Sequence, residues 1–505
     1  MRQPMMPPST PPREQWQRRA MNVIGRARDG FPNWVMQYGI VVYIIALAAV
    51  SIMYSSYSMP WYYMLSGMVS VVVFFWYGRY STDRLSIYRV KKQSNFVHRI
   101  FVIAFVPRLL WVLLSYYLFM QHYGDAFGFE NGDALYYDEL GGFVADLIEK
   151  GDFHFYDRIS HFSTDEISDM GYGVYLGFVH YLTGKSIIAA RLIKCIWSAY
   201  TVVLIYKLAL RNFNPYVARI AAIFCALWPN FWYYCGGQLK EVEMVFLAIL
   251  FVEQADQMLR SRQFTTWKVI PVLILGATMF TFRTPLALVA LLAIVFSIVM
   301  SSSRVVNWGK RVIVGGLTVL LIIVTMGNQI EEQTQSLLQS AQSNTQKENM
   351  EWRGRREHGN TFAKYAGASV FAPMIFTLPF PTMVRPFDGQ DIQQLLNGGN
   401  FCKNAISFFT IFAMITLLLS GRWREHLLPL SFMLGYLVVL TMSSFAQSER
   451  FHQPVMPFEL MFAAYGLSIA VTKPKYKRWF MYWCGVMLIA CVAWNWFKLA
   501  GRGLA

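Results

Sequence analysis

Acidic residues recur along the segment GDALYYDELGGFVADLIEKGDF (132–153), and they are the first candidates for chemistry. The apolar residues between them have helical spacing, which predicts a helix on the membrane surface with its carboxylates turned to water. Asp133 begins this helix. An aspartate at that position either caps the free amides of the first turn or has a functional role, and the residue types leave both interpretations open.

Four basic residues stand at the ends of apolar segments elsewhere in the chain. They are Lys240 in CGGQLKEVEMVF (235–246), Arg283 in FRTPLA (282–287), Arg385 in LPFPTMVRPFDG (378–389) and Arg450 in SERFHQPVMPFE (448–459). A single cation at a helix end is usually a membrane anchor. Four cations on the same side of a membrane as an acidic loop instead indicate a site for an anion such as a phosphate, opposed by a carboxylate.

The composition indicates which elements must position these residues. The chain has 505 residues, of which 55% are hydrophobic and 15% charged, against about 25% charged in soluble domains. Its apolar runs of about 15 to 23 residues have the length of membrane-spanning helices and lack the alternation of a β-barrel. We therefore predict an all-α polytopic membrane protein with about 13 transmembrane helices and external juxtamembrane helices.

The distribution of charge orients these helices. The formal net charge is +16, but the basic residues cluster beside the ends of spans, as the positive-inside rule predicts for cytoplasmic loops. A nucleic-acid partner is therefore not expected. Residues 122–172 hold twelve of the 29 acidic residues and are assigned to the outside. A short apolar segment at 172–184 is assigned to an outer helix that does not cross.

Five segments follow from this topology. They are a basic cytoplasmic tail (1–36), a transmembrane hairpin with a basic cytoplasmic loop (37–99), a transmembrane module that includes the external acidic loop (100–327), an external polar loop followed by an apolar Pro-rich stretch (328–403), and the C-terminal transmembrane helices (404–505). Residues 328–369 are predicted to be an external connector or, alternatively, a lid that orders when substrate binds.

Metal ligands are a further possibility in the external loop. His154 and His161, with Asp152 and Asp157, match no metal-binding pattern, so no metal site is predicted. The sequence names no cofactor and leaves open whether a divalent cation assists.

Four segments together resemble the GT-C superfamily of polyprenyl-phosphate-dependent glycosyltransferases, in the branch of protein O-mannosyltransferases and aminoarabinose transferases. They are GDALYYDELGGFVADLIEKG (132–151), the stretch from YLTGKSIIAARL to VFLAIL (181–250), FRTPLALVALLA (282–293) and ERFHQPVMPFELMFAAYG (449–466). Their order along the chain agrees with that family, and the GT-C-like region covers most of 100–300 and the corner at 449–466.

The resemblance implies that a carboxylate near the start of the first external loop is the catalytic base. In this sequence Asp133 fits that place best, and Asp125 is the alternative. It also implies an inverting displacement in which cations hold the donor phosphate, and the candidates are Lys240, Arg283, Arg385 and Arg450. Contacts to substrate are expected from Tyr137, Asp138, Glu241 and His452.

These observations predict a membrane glycosyltransferase of the bacterial inner membrane, with its active site facing the periplasm. Its partners would be a polyprenyl-phosphate-linked sugar or glycan donor, membrane lipids, and an acceptor that is a lipid, a glycan or a protein. One alternative is an oligosaccharide polymerase or ligase that uses a lipid-linked glycan. A second is a transporter or flippase for such a glycan, which should show repeat symmetry and ionisable residues near the middle of the membrane.

Overall fold

The structure, a computed structural model, describes residues 31–160, 168–261, 266–302, 372–385, 391–442 and 446–501, together with residues 306, 316 and 504. Within these ranges the regular secondary structure is helical, apart from one isolated bridge between Ser58 and Val384. The predicted all-α class is therefore confirmed. The protein is an integral membrane protein, since several of its helices are long and apolar enough to cross a bilayer.

The helices fall into two groups along the chain. The first group comprises α1 (Asn33–Met53), α2 (Trp61–Arg84), α3 (Gln93–Tyr123), α4 (Asn131–Glu149), α5 (Phe155–Ile159), α6 (Met170–Thr183), α7 (Ile187–Asn212), α8 (Pro215–Ala226), α9 (Pro229–Cys235), α10 (Glu241–Arg260), α11 (Thr266–Phe282) and α12 (Thr284–Met300). The second group comprises α13 (Asp391–Leu395), α14 (Asn397–Leu419), α15 (Leu427–Met442), α16 (Glu449–His452), α17 (Met456–Ala470) and α18 (Lys475–Ala500).

Among the described residues, six helices have the length and hydropathy of membrane spans, namely α1, α2, α3, α7, α14 and α18. The predicted count of about 13 is not confirmed. Helices α8, α11, α12 and α15 are apolar but shorter. Three segments lie outside the described residues. They are the predicted tail up to residue 30, the apolar residues 310–327 apart from residue 316, and the predicted connector or lid at 328–369. The predicted outer helix is α6, whose 14 residues fall short of the roughly 20 that a crossing needs.

The apolar segment at 215–235 forms two short helices, α8 and α9, in place of one continuous span. The break leaves the last carbonyls of α8 without partners in their own helix. Arg108, fully buried in α3, donates hydrogen bonds to the carbonyls of Cys225 (3.2 Å) and Ala226 (2.9 Å). Within a bilayer the protein itself must satisfy such backbone groups, and the Arg108 side chain does so here.

The Pro-rich stretch ahead of Arg385 is not helical, yet most of it is buried. Amide side chains from α14 and α18 satisfy its backbone. Asn404 donates to the carbonyl of Pro379 at 3.1 Å. Asn495 donates to the carbonyl of Pro381 at 3.1 Å and accepts from the Met383 N–H at 2.7 Å. Irregular backbone is tolerated at membrane depth when it is enclosed by protein in this way.

Helix α4, which carries Asp133, packs closely against α6 because two glycines remove the side chains that would separate them. Added Cβ atoms would collide with Leu140 at Gly173 and with Val144 at Gly177. Small residues allow helix backbones to approach closely in a membrane protein. The position of α4 on the bundle is thus set by α6.

We expect Gly177→Val to destabilise the protein by about 1–3 kcal/mol, because the new side chain overpacks the α4–α6 contact. Thermal unfolding in detergent measures the change. The control is Gly142→Ala, in the partner helix α4, where an added Cβ would meet nothing within 4 Å. This control should stabilise the helix by about 0.5–1 kcal/mol. Equal effects of the two substitutions would contradict the packing described here.

Candidate functional site

Five residues define what we call the site corner: Asp133, Lys240, Glu241, Arg283 and Arg450. They come from the first turn of α4, the start of α10, the junction of α11 and α12, and the short helix α16. Helix ends far apart in the sequence therefore converge at one end of the bundle.

Arg450 bridges two carboxylates at the site corner. Its Nη1 lies 2.5 Å from Oδ2 of Asp133, and its Nε donates to Oε1 of Glu241. The side chain of Asp133 is 58% exposed, whereas that of Glu241 is 1% exposed. A buried carboxylate must be paired to be tolerated. Glu241 therefore anchors Arg450 from the protein interior, and Asp133 contacts it from the solvent side.

Lys240 immediately precedes α10 and faces the start of α6. Its ammonium pairs with the carboxylate of Asp169 and donates to the carbonyl of Phe282 at 3.3 Å. The centre of the Tyr137 ring lies 5.7 Å from the same nitrogen, and the Tyr137 hydroxyl donates to Asp169 Oδ2 at 3.4 Å. The Asp169 side chain is 44% exposed, so this pair also presents its carboxylate to solvent.

Arg283 is oriented by an aromatic ring. Its guanidinium carbon lies 4.1 Å from the ring centre of Phe451, a cation–π contact that favours a parallel planar arrangement. Phe451 follows Arg450 in α16. One short helix thus supplies Arg450 and holds Arg283.

The charges of the site corner influence the pKa of Lys240. Burial, and then repulsion from Arg283, lower this pKa to about 7, while the nearby Glu241 carboxylate opposes the shift. Burial, followed by the nearby Glu241 charge, raises the pKa of Tyr137, which stays a hydrogen-bond donor at neutral pH. A phosphate could replace the exposed carboxylates of Asp133 and Asp169 beside these cations and leave the buried Glu241 paired.

Asp138, which the sequence predicts to bind substrate, joins three elements. Its Oδ1 lies 3.0 Å from Nε2 of His180 on α6 and accepts from Nε2 of Gln238 at 3.1 Å. His180 and Gln238 are both buried. Through these contacts Asp138 ties α4 to α6 and to the turn that carries Lys240.

Lys194 and Asp169 contribute to the surroundings of Lys240, although neither is predicted from the sequence as a site residue. Lys194, buried in α7, donates to the carbonyls of Gly237 (2.9 Å) and Leu239, and so shapes the turn before Lys240. A lysine inside an apolar span was the signal that could have indicated it, because such charges are costly in a membrane. Asp169 adopts φ 80°, in the left-handed region, and nothing in its sequence context predicts that.

Three other residues that the sequence predicts to be functional do not belong to the site corner. Asp125 accepts from the amides of Phe127 (2.7 Å) and Gly128 (3.3 Å) in the turn after α3. Arg385 is exposed, and its N–H donates to the carbonyl of Tyr57 at 2.6 Å. No contact joins Arg385 to the site corner in the part of the chain that the structure describes. His452 is buried. The functional roles assigned to these residues stay predictions.

Within the described ranges, no group of three or more His, Cys, Asp or Glu side chains could hold a metal ion. Asp152 contacts His154 and Arg158, both exposed. His161, the fourth position considered with them, lies outside the described residues.

An apolar groove of about 520 Å³ opens next to the site corner. Its walls include Val174, Phe178, Trp197, Phe246, Leu247 and Ala277. Phe282 also lines it, and the carbonyl of this residue binds Lys240. Glu243 in the wall lies 3.8 Å from Lys194. The groove is therefore lined by residues of α6, α7, α10 and α11 and lies beside the contact between Phe282 and Lys240.

Residues 172–327 match the family model described as dolichyl-phosphate-mannose-protein mannosyltransferase, a family of the GT-C superfamily. The match confirms the resemblance predicted from the sequence, and it implies a membrane glycosyltransferase of the GT-C type. The matched segment includes Lys240, Glu241 and Arg283, and Asp133 and Arg450 lie outside it. Comparisons with curated proteins and with solved structures found no match.

Lys240 predicts a pH dependence for binding of the expected donor, a phosphodiester. Lysine is charged below its pKa, and an anion beside it favours the charged form. Donor affinity should therefore rise as the pH falls from about 8 to about 6, by at most about tenfold per pH unit above the pKa. The donor KM measured across this range tests it. Lys240→Arg, which stays charged, should flatten the profile. A flat profile in the unmodified protein would contradict this reading of Lys240.

Proposed function

From the GT-C family match across residues 172–327, we propose that this chain transfers a sugar from a polyprenyl-phosphate-linked donor to an acceptor on the external, periplasmic face of the membrane. The observation that carries the proposal is the contact between Asp133 and Arg450, with Lys240 and Arg283 beside them. A carboxylate next to several cations suits a reaction in which one group accepts a proton and the others receive a phosphate.

The donor phosphate binds among Lys240, Arg283 and Arg450. It replaces the exposed carboxylates of Asp169 and Asp133 as a partner of these cations. Glu241 keeps its contact with Arg450, so the arginine turns toward the phosphate without leaving a buried charge unpaired.

The isoprenoid chain of the donor lies in the 520 Å³ groove. Phe282 lines the groove and precedes Arg283 by one residue, so a phosphate on the cations places its chain beside the apolar walls. Burial of the chain contributes about 0.8 kcal/mol for each CH₂ removed from water. The cations and the groove thus recognise the two chemically different parts of one molecule.

Donor binding also prepares the base. While Arg450 contacts Asp133, the carboxylate is held in an ion pair and is not free to contact an acceptor hydroxyl. When the phosphate engages Arg450, Asp133 is released to take the proton from an acceptor hydroxyl. The hydroxyl oxygen bonds to the anomeric carbon as the bond from that carbon to the phosphate oxygen breaks. The cations stabilise the negative charge left on the polyprenyl phosphate.

We expect Asp133→Asn to lower kcat by about 10²–10⁴-fold, the usual contribution of a general base, with donor binding retained. Transfer of labelled sugar and donor binding, measured side by side, separate the two effects. The controls are Glu139→Gln, an exposed carboxylate on the same helix, and Asp125→Asn, the alternative base. Both should keep near-normal kcat. Full activity of Asp133→Asn, or loss of activity only in Asp125→Asn, would reassign the base.

The groove gives a separate prediction about chain length. Ala277→Trp should fill part of the groove and raise the donor KM by about tenfold for a long isoprenoid chain, because roughly two buried CH₂ groups are lost. A short-chain donor should be little affected. Leu292→Trp, a 54%-exposed position that does not line the groove, is the control. Equal effects of Ala277→Trp on long and short donors would place the chain elsewhere.

A further inference from the structure

A second charged cluster lies inside the bundle, next to α16. Lys403 on α14 lies with its Nζ 2.7 Å from Nδ1 of His452 and 3.6 Å from Oε1 of Glu459 on α17. Each of the three residues is at most 2% exposed. Nothing in the proposed reaction uses these groups directly, because they face the protein interior.

The hydrogen bonds of His452 determine which of its ring nitrogens carries the proton. Its Nε2 lies 2.9 Å from the carbonyl of Ala446 and can only donate to it, so the proton of the neutral ring is on Nε2. Nδ1 is then the acceptor, and the Lys403 ammonium donates to it. His452 consequently links the backbone at Ala446 to α14. Gln453 adds a bond from its amide to the carbonyl of Glu449 at 2.7 Å, which closes α16 on itself.

The segment held in this way orients two of the three cations of the site corner. Arg450 reaches Asp133 and Glu241, and Phe451 lies under Arg283. Residues two apart on a helix point to nearly opposite sides, so His452 is directed inward while Arg450 is directed to the site corner. A displacement of α16 would therefore move both Arg450 and the ring that supports Arg283.

We propose that Lys403, His452 and Glu459 are positioning residues that set the place of α16, and through it the donor-binding geometry of Arg450 and Arg283. The kinetic part of this inference rests on the proposed function. Glu459 supplies the charge that lets Lys403 remain buried as an ammonium, and Lys403 holds His452. Buried ion pairs of this kind contribute little net stability against an apolar replacement, so stability alone does not account for this cluster.

The test removes both charges together, because loss of one partner would leave an uncompensated buried charge. In the variant Lys403→Met with Glu459→Gln, we expect faster hydrogen exchange at residues 449–455 than in the unmodified protein. We also expect the donor KM to rise by roughly two- to thirtyfold, the size of effects carried through an intermediate element, with a smaller change in the acceptor KM. Unchanged exchange at 449–455 would overturn the proposal whatever the kinetics show.

A double-mutant cycle with Arg450→Ala separates positioning from general structural damage. If the cluster acts through Arg450, the Lys403→Met and Glu459→Gln changes should raise the donor KM less in the Arg450→Ala background than in the unmodified protein. If the two cluster substitutions raise the donor KM by the same factor in both backgrounds, the proposal is overturned. If Arg450→Ala alone leaves the donor KM unchanged, the proposed donor site fails, and the exchange measurement still decides the positioning claim.

His426→Asn is the matched control for this experiment. His426 is also a buried histidine, but it lies beside Asn212 and Phe213, near the end of α7. Its substitution should lower thermal stability while leaving exchange at 449–455 and the donor KM as they are. If His426→Asn raises both the exchange rate at 449–455 and the donor KM, then any buried polar substitution disturbs α16. The positioning role of Lys403, His452 and Glu459 would then be withdrawn.

Discussion

Arg450 stands between a buried carboxylate and an exposed one, and this asymmetry organises the site. Glu241 has 1% of its side chain exposed, so its charge must stay paired, whereas Asp133 is 58% exposed and can exchange its partner for an incoming anion. The arrangement requires the starts of α4 and α10 and the helix α16 to meet within hydrogen-bond distance. The close α4–α6 contact at Gly173 and Gly177 and the bonds of Asp138 serve that meeting.

The membrane explains why so many polar side chains inside the bundle are bonded to backbone. Arg108 satisfies the carbonyls at the end of α8, and Asn404 and Asn495 satisfy the irregular Pro-rich stretch. Lys194 does the same for the turn before Lys240. Each bond replaces water that the bilayer does not supply. These side-chain bonds hold irregular backbone in place inside the bundle, in contrast to the site corner, where two carboxylates are exposed.

The helical class, the acidic residues of the 122–172 segment and the cations at helix ends could be predicted, because hydropathy and charge are local properties. It was harder to predict which of these residues lie close together. Assignment of Lys240, Arg283, Arg385 and Arg450 to one side of the membrane gives depth but not the position around the bundle, and Arg385 lies beside Tyr57 instead. His452 follows Arg450 by two residues in the helix α16 and therefore faces the protein interior. This orientation follows only if residues 449–452 are helical, as they are in the structure. The break between α8 and α9 has a local signal, since Pro229 begins α9 and a proline cannot continue the preceding helix, whereas no local pattern indicates the left-handed conformation of Asp169.

The exchange of partners at Arg450 is the central claim, and a cryo-EM structure of the full chain in lipid nanodiscs with added polyprenyl phosphate tests it most directly. We expect the phosphate among Lys240, Arg283 and Arg450, with the Arg450 guanidinium on a phosphate oxygen and on Glu241, and with Asp133 released. A phosphate bound elsewhere while Arg450 still contacts Asp133 would contradict the account.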